Sequence, residues 1–334
     1  MQIDGTVGSD PSEVIEAATR AEAAGYDAIW SSETAHDPFL PLALAAEQTS
    51  RVGIGTAIAV AFARNPMTLA MTANDLQHLS QGRFMLGLGS QIKPHIEKRF
   101  SMPWSHPAPR MRELIMAIRA IWTAWSDGSR LAFRGQFYRH TLMNPLFDPG
   151  PNPFGNPRIF LAAVGQVMTE VAGEVADGLL AHGFTTERYL KEVTIPALER
   201  GLATAGRHRS DMEISLPGLV ATGPDATALA VACTAVRAQI AFYGSTPAYL
   251  PVLELHGWGA LHTELNRLSK QGDWNGMTEL IDDEVLHAFA VVGPPEEIAG
   301  VVRARFDGVV DRFSPYAPYP MEPEEWIRIL SGIR

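Results

Sequence analysis

The chain has 334 residues, 46% apolar and 19% charged, an ordinary globular balance with ample material for a large core. A formal net charge of −10 argues against a general binder of nucleic-acid backbones, which would need Lys and Arg to neutralise phosphates. The one cysteine, Cys233, rules out an internal disulfide and any cysteine-cluster metal site.

The sequence opens Met1-Gln2-Ile3-Asp4-Gly5, without a basic segment followed by an apolar one. Its longest nearly apolar run, 52–63, is too short to span a bilayer, so a cytoplasmic protein with no membrane partner is expected.

A short apolar strand followed by a capped amphipathic helix recurs along the chain. The first strand is expected at 2–7, then a helix opened by Asp10-Pro11-Ser12-Glu13, with Asp as cap, Pro in the first turn and Glu closing a capping box. A second strand at 28–31 precedes a helix at 39–48, and a third strand at 52–59 precedes a helix that Asn65-Pro66 opens and Gly82 ends. The fourth strand, 83–88, is continuously apolar after Arg83, as a strand buried on both faces should be. Met111, Leu114, Ile115, Ile118, Ile121, Trp122 and Trp125 give the clearest helical stripe in the chain. Strands follow at 158–163, 179–181 and 213–220, each with a helix behind it. The helix at 226–242 carries Cys233 on the stripe Leu229, Cys233, Val236, Ile240, as a buried structural thiol. The last strand is expected at 308–313 and the last helix at 322–330.

Eight strands alternating with helices, and no charged or Ser/Gly-rich linker, predict a single (β/α)8 TIM barrel. The surplus length falls into insertions at 90–109, 127–157 and 244–284, and loops this long are usually functional.

In such a barrel the strand-to-helix junctions carry the chemistry. After the second strand, Ser32-Glu33-Thr34-Ala35-His36-Asp37 places three titratable groups together. Glu33 and His36 are candidates for proton transfer, while Asp37 caps the next helix. After the third strand come Gly55, Thr56, Ala57 and Ile58, then Arg64 and Asn65; the small residues serve either the close approach of a flat ligand or a tight barrel corner. Gly89 and Ser90 form a similar turn after the fourth strand. They lead into 91–112, which holds five Lys or Arg, Lys93 among them, against one acid, a basic rim suited to a polyanionic tail. After the fifth strand, Ala163-Val164-Gly165-Gln166-Val167-Met168 runs straight into a helix whose free N–H groups could seat a phosphate. His182, after the sixth strand, is either a structural imidazole or a reserve catalytic group. No His/Asp/Glu spacing fits a metal site, and no G-x-S-x-G elbow supports a serine hydrolase.

Six segments taken in order resemble the bacterial luciferase-like flavin enzymes: Ala24 through Glu33, Ile54-Gly55-Thr56-Ala57, Arg64-Asn65-Pro66, Gly82 through Gly89, Val171 through Gly178, and Gly293 through Ile298. The stretch from Gly89-Ser90-Gln91 to Phe100-Ser101-Met102-Pro103-Trp104 is most similar to the actinobacterial branch that uses coenzyme F420. The resemblance implies a luciferase-like barrel with a deazaflavin or flavin across its mouth. By it, Glu33 lies near the ring, Ala57-Ile58 is the family's non-prolyl cis peptide against the ring face, and Gly165 to Met168 hold the phosphate. It also implies a homodimer. The family's sugar-phosphate dehydrogenases carry an acid after the fourth strand and an Asp-His pair after the second; this chain has Gln91-Ile92 and Glu33-Thr34 instead, so their substrate and proton relay do not transfer.

The expected activity is therefore hydride transfer between coenzyme F420 and a small organic substrate, with Glu33, His36 and His182 as catalytic candidates. The alternatives are an FMN-dependent monooxygenase on the same scaffold, a non-catalytic flavin-binding barrel, and a cofactor-free lyase.

Overall fold

The computed structural model describes residues 1–334. Eight parallel strands close on themselves: β1 (Gln2–Val7), β2 (Ala28–Ser31), β3 (Gly53–Thr56), β4 (Phe84–Gly89), β5 (Arg158–Ala163), β6 (Gly178–Ala181), β7 (Glu213–Ala221) and β8 (Arg312–Tyr316). The ladder returns to its start where β8 pairs with β1, Gln2 opposite Arg312 and Ile3 opposite Phe313. Helices surround it, and the expected (β/α)8 barrel is what the chain forms.

Three departures from expectation have local causes. The first helix starts at Val14, because Asp10 spends its Oδ1 on the Ser12 N–H and hydroxyl and so closes a turn before the helix. The third strand stops at Thr56, is interrupted by a cis Ala57–Ile58 peptide, and resumes as Ala59–Val60 against β4. The last strand lies at Arg312–Tyr316 rather than 308–313. Gly308 is left-handed (φ 72°) and the N–H groups of Val309 and Val310 still bond the Phe306 carbonyl, so those residues complete the end of helix Pro295–Phe306.

Side chains alternate along each strand, so every second residue points into the barrel. One interior layer is Ala28, Trp30, Met85, Phe160 and Leu180, packed as a separate cluster, with Trp30 edge-on to Phe160 at 5.5 Å. Asp4 and Arg312 also lie inside. Arg312 donates two bonds to the Asp4 carboxylate, at 2.7 and 2.8 Å, and Trp30 Nε1 donates a third at 2.8 Å.

Outside the strands the main core joins them to the helices, with Ile29, Ile54, Leu86 and Ile159 from the strands meeting Leu42, Leu69, Ile118 and Trp122. A second core lies above β6 and β7. The insertion at 244–284 builds it, folding into helices Leu250–Leu255, Gly259–Gln271 and Trp274–Glu279. Helix Ala226–Gly244 seats Ala232, Val236 and Ile240 in that core, with Cys233 half-buried beside them. This helix is long and apolar enough, by composition alone, to cross a bilayer, a property the search for one uninterrupted apolar run overlooks.

The insertion at 127–157 contributes a hairpin, Phe133–Arg134 with Arg139–His140. It is tied to helix Pro107–Asp127 by Glu113, whose carboxylate takes the N–H groups of Gln136, Phe137 and Tyr138 at 2.6–2.8 Å. In the insertion at 90–109, a wide helical turn spans His95–Arg99.

Candidate active site

Strand alternation places Ala57, Gly89, Ala162, His182 and Tyr316 on the inward side at the carboxyl ends of β3 to β6 and β8. Ala57, Ala162, His182 and Tyr316 point into the barrel yet keep part of their surface open to solvent. Trp30 and Phe160 beneath them are buried. The mouth is therefore lined by partly open side chains over a closed floor.

One arc of its rim is apolar and small. Ser32 Oγ donates to the Ala57 carbonyl at 2.8 Å and the Glu33 N–H to the Ile58 carbonyl at 3.2 Å, so the end of β2 clasps the cis peptide from both sides. Thr56 is wholly buried and bonds Gly87 twice, through its N–H at 2.9 Å and its carbonyl at 2.7 Å, which fixes β3 to β4 beneath the bend.

The glycines settle the choice between a ligand and a corner. A Cβ on Gly55 would meet the Trp30 ring at 2.4 Å, and one on Gly89 would meet Ile58 at 2.8 Å. Their missing side chains make room for the protein itself. The exception is Gly165, where an added Cβ meets nothing within 4 Å.

Glu33 is nearly enclosed, with 5% of its side chain exposed. Its Oε2 accepts from Arg64 Nη1 at 2.6 Å and from the Val60 N–H at 2.7 Å, leaving Oε1 with no protein partner. Arg64 bridges on to Asp37 Oδ2 at 2.7 Å, and Asp37 Oδ1 accepts the Phe39 N–H at 2.9 Å, the start of helix Phe39–Gln48. Asn65 caps helix Pro66–Leu79 by accepting the Thr68 N–H at 3.0 Å. Arg64 and Asn65 thus hold the loop in place. His36 is exposed on the same loop and makes no hydrogen bond. Ser90 Oγ turns back to the Gln91 carbonyl, and Lys93 is exposed with only Glu97 near it, at 3.8 Å.

On β5, Ala163 pairs with Ala181 of β6, and the chain passes through the half-buried Val164 to Gly165, the cap of helix Gln166–Val175. Gly165 offers no capping side chain. The first bond back into it runs from the Thr169 N–H, so the N–H groups of Gln166, Val167 and Met168 have no partner inside the helix. Gly165, Gln166 and Val167 are exposed. These unpaired donors at the positive end of a helix suit an anion.

The opposite arc is aromatic. His182 Nδ1 accepts the Phe184 N–H at 3.0 Å, so the ring carries its proton on Nε2, which lies 2.9 Å from the Tyr249 hydroxyl. Its ring stacks on Tyr249 at 4.5 Å and meets Tyr243 edge-on at 4.9 Å. The Tyr243 and Tyr316 hydroxyls bond one another at 3.0 Å. Burial pulls the His182 pKa down to about 4 and, with help from Tyr243, pushes that of Tyr249 up to about 12. The sequence pointed to His182 but to none of the tyrosines.

An imidazole held neutral has a consequence for stability. Its folded pKa near 4 lies below the ordinary 6.5, so the unfolded chain binds the extra proton first as the pH falls. Stability is intact above about pH 6.5 and drains away down to about pH 4. Between about pH 7.5 and pH 5 this one group should remove about 2 kcal/mol. Urea unfolding at both pH values, compared with His182→Gln, should show that much less pH dependence in the variant; equal slopes would contradict the buried neutral ring.

The protein is thus a (β/α)8 barrel whose mouth sets an open apolar ledge beside a bare helix start. The luciferase-like monooxygenase family model matches residues 2–312, and the chain belongs to that family. The uncharacterized protein Rv1360 of Mycobacterium tuberculosis is 60% identical over 94% of this chain and 93% of its own. The 5,10-methylenetetrahydromethanopterin reductase of Archaeoglobus fulgidus is 27% identical over 83% of this chain and 81% of its own. Among solved structures, the coenzyme F420 dependent tetrahydromethanopterin reductase from Methanopyrus kandleri superposes with a TM-score of 0.80 at 19% identity, covering 99% of this chain and 97% of that one. The oxygenating constituent of 3,6-diketocamphane monooxygenase from Pseudomonas putida, in complex with FMN, gives 0.67 at 18%, covering 97% and 91%. Apart from the uncharacterized Rv1360, these relatives and neighbours are reductases and a monooxygenase.

Proposed function

We propose that this protein is an F420-dependent oxidoreductase that exchanges a hydride with a small organic substrate. The observation that carries the reading is the open ledge at Ala57, Ile58 and Ala162, adjoining the unpaired N–H groups of Gln166, Val167 and Met168. That donor set fits a flat ring with a phosphate on its side chain. Bound there, a deazaflavin supplies a two-electron hydride centre that reacts poorly with oxygen.

The chain's own residues do the rest. Ala57 and Ile58 support one ring face, Gly165 to Met168 take the phosphate, and Glu33 holds a proton-accepting atom, Oε1, close to the clasped peptide. The exposed Lys93, Lys98 and Arg99 favour F420 over FMN, because the F420 tail carries glutamates. FMN with oxygen is the competing reading, supported by the FMN-bound neighbour of the same fold. A homodimer is also part of the proposal: helices Phe39–Gln48 and Pro66–Leu79 pack together and expose Leu40, Leu44 and Met71, an apolar face that a second copy would cover.

The test is a fluorescence titration of the apoprotein with F420 and, separately, with FMN. F420 should bind at least about tenfold more tightly, a difference of about 1.4 kcal/mol. The double variant Lys93→Gln/Lys98→Gln should weaken F420 and leave FMN unchanged. Tighter binding of FMN would transfer the assignment to a flavin monooxygenase, and binding of neither would end it.

A further inference from the structure

The aromatic arc has a directionality that its hydrogen bonds dictate. The Phe184 N–H can only donate, so His182 Nδ1 can only accept, and the one imidazole proton sits on Nε2. That proton points at the Tyr249 oxygen, which must accept it. The hydroxyl proton of Tyr249 is therefore directed away from the ring, and no protein acceptor receives it. The Tyr243–Tyr316 pair behaves in the same way: one hydroxyl donates to the other, and one proton is left over. Two spare donors thus stand in one aromatic wall, with Tyr243 and Tyr249 ring centres 5.9 Å apart.

No Asp, Glu, Lys or Arg side chain hydrogen-bonds to His182, Tyr243, Tyr249 or Tyr316, whose partners are one another and the Phe184 backbone. The wall rises beside the inward tips of β6 and β8, across the mouth from the Ala57–Ile58 ledge. We propose that it is the substrate subsite, and that Tyr249, oriented by His182, donates a hydrogen bond to a neutral substrate oxygen, the carbonyl of a ketone or aldehyde or the hydroxyl of the matching alcohol.

This rests on the oxidoreductase reading for its role in turnover but not for its binding chemistry. Tyr249 is the group that touches the substrate, and His182 is a positioning residue. The tyrosine stays protonated at neutral pH, because burial raises its pKa to about 12, so it can donate to a substrate oxygen. A carboxylate is disfavoured because no Lys or Arg bonds into the wall to offset the loss of its water.

The experiment is calorimetric titration with cyclohexanone and cyclohexanecarboxylate, performed with and without F420. Cyclohexanone should bind and the carboxylate should not. Tyr249→Phe, which removes only the hydroxyl, should weaken cyclohexanone at least about tenfold while F420 affinity stays at the wild-type value. His182→Phe should do the same, and His182→Gln, which keeps an N–H donor, should recover part of the loss. Should a variant fail to fold, nitrogen NMR of the wild-type protein gives a second reading: the His182 Nε2 resonance should move when cyclohexanone is added. Undiminished binding by Tyr249→Phe, preference for the carboxylate, or no cyclohexanone binding in either condition would overturn the proposal. Failure of F420 to bind while cyclohexanone still discriminates the variants would count against the cofactor assignment alone.

Discussion

Gly87→Ala should destabilise the protein by about 3 kcal/mol or more, and its yield as soluble protein should fall accordingly. The added Cβ would lie 1.7 Å from the Thr56 carbonyl oxygen. That oxygen belongs to the backbone of β3, so no rotamer change can relieve the overlap. The strands would have to part where Thr56 already bonds both backbone groups of Gly87. Separation there would carry the Ala57–Ile58 ledge with it, so binding of the cofactor proposed for that ledge should be lost along with stability. Gly165→Ala is the control: its φ of −89° is ordinary for alanine and its Cβ would meet nothing, so urea unfolding should change by no more than about 0.5 kcal/mol. A wild-type melting curve for Gly87→Ala would refute the packing described for β3 and β4.

The second large effect lies inside the barrel. Arg312→Met should cost about 3–5 kcal/mol, because it strands the Asp4 carboxylate in a space with no solvent. The side chains of Arg312 and Asp4 are 3% and 0% exposed. Removing both charges should cost less than removing one. In Asp4→Leu/Arg312→Met the remaining defects are the Trp30 N–H, which loses its acceptor at about 1–3 kcal/mol, and the partly open Gln2 and Glu213 side chains, which lose their bonds to Arg312 and can turn to water. A double-mutant cycle in urea should therefore show strong coupling between the two sites. If the double variant is less stable than Arg312→Met, the pair is not the electrostatic unit described.

Much of the barrel was legible in the sequence because its strands are apolar on both faces and end at turn residues. The first, second and fifth strands fell on the residues expected, and the fourth, sixth and seventh within one. The eighth did not, because Gly308-Val309-Val310 has strand composition but finishes a helix. That slip hid Tyr316: with the strand ending at 313, its tip could not be counted inward.

The site divides along a similar line. The position of the cis peptide came from family likeness, since no local pattern announces it. Gly55 and Gly89 could be read either for a ligand or for a corner, and only the positions of Trp30 and Ile58 decide. Tyr249 carried no signal at all. It stands 67 residues from His182 in a segment without strand periodicity, and the packing of the surrounding helices brings it to the mouth.

The separate interior of those helices divides labour at the entrance. Ala57 and Ile58 rest on the cluster inside the barrel, with Ile58 also touching the main core, whereas Tyr249 and Tyr243 lean on the second. Substitutions at Leu253, Leu265 or Met277 should therefore reshape the aromatic wall and leave the packing beneath Ala57 and Ile58 in place.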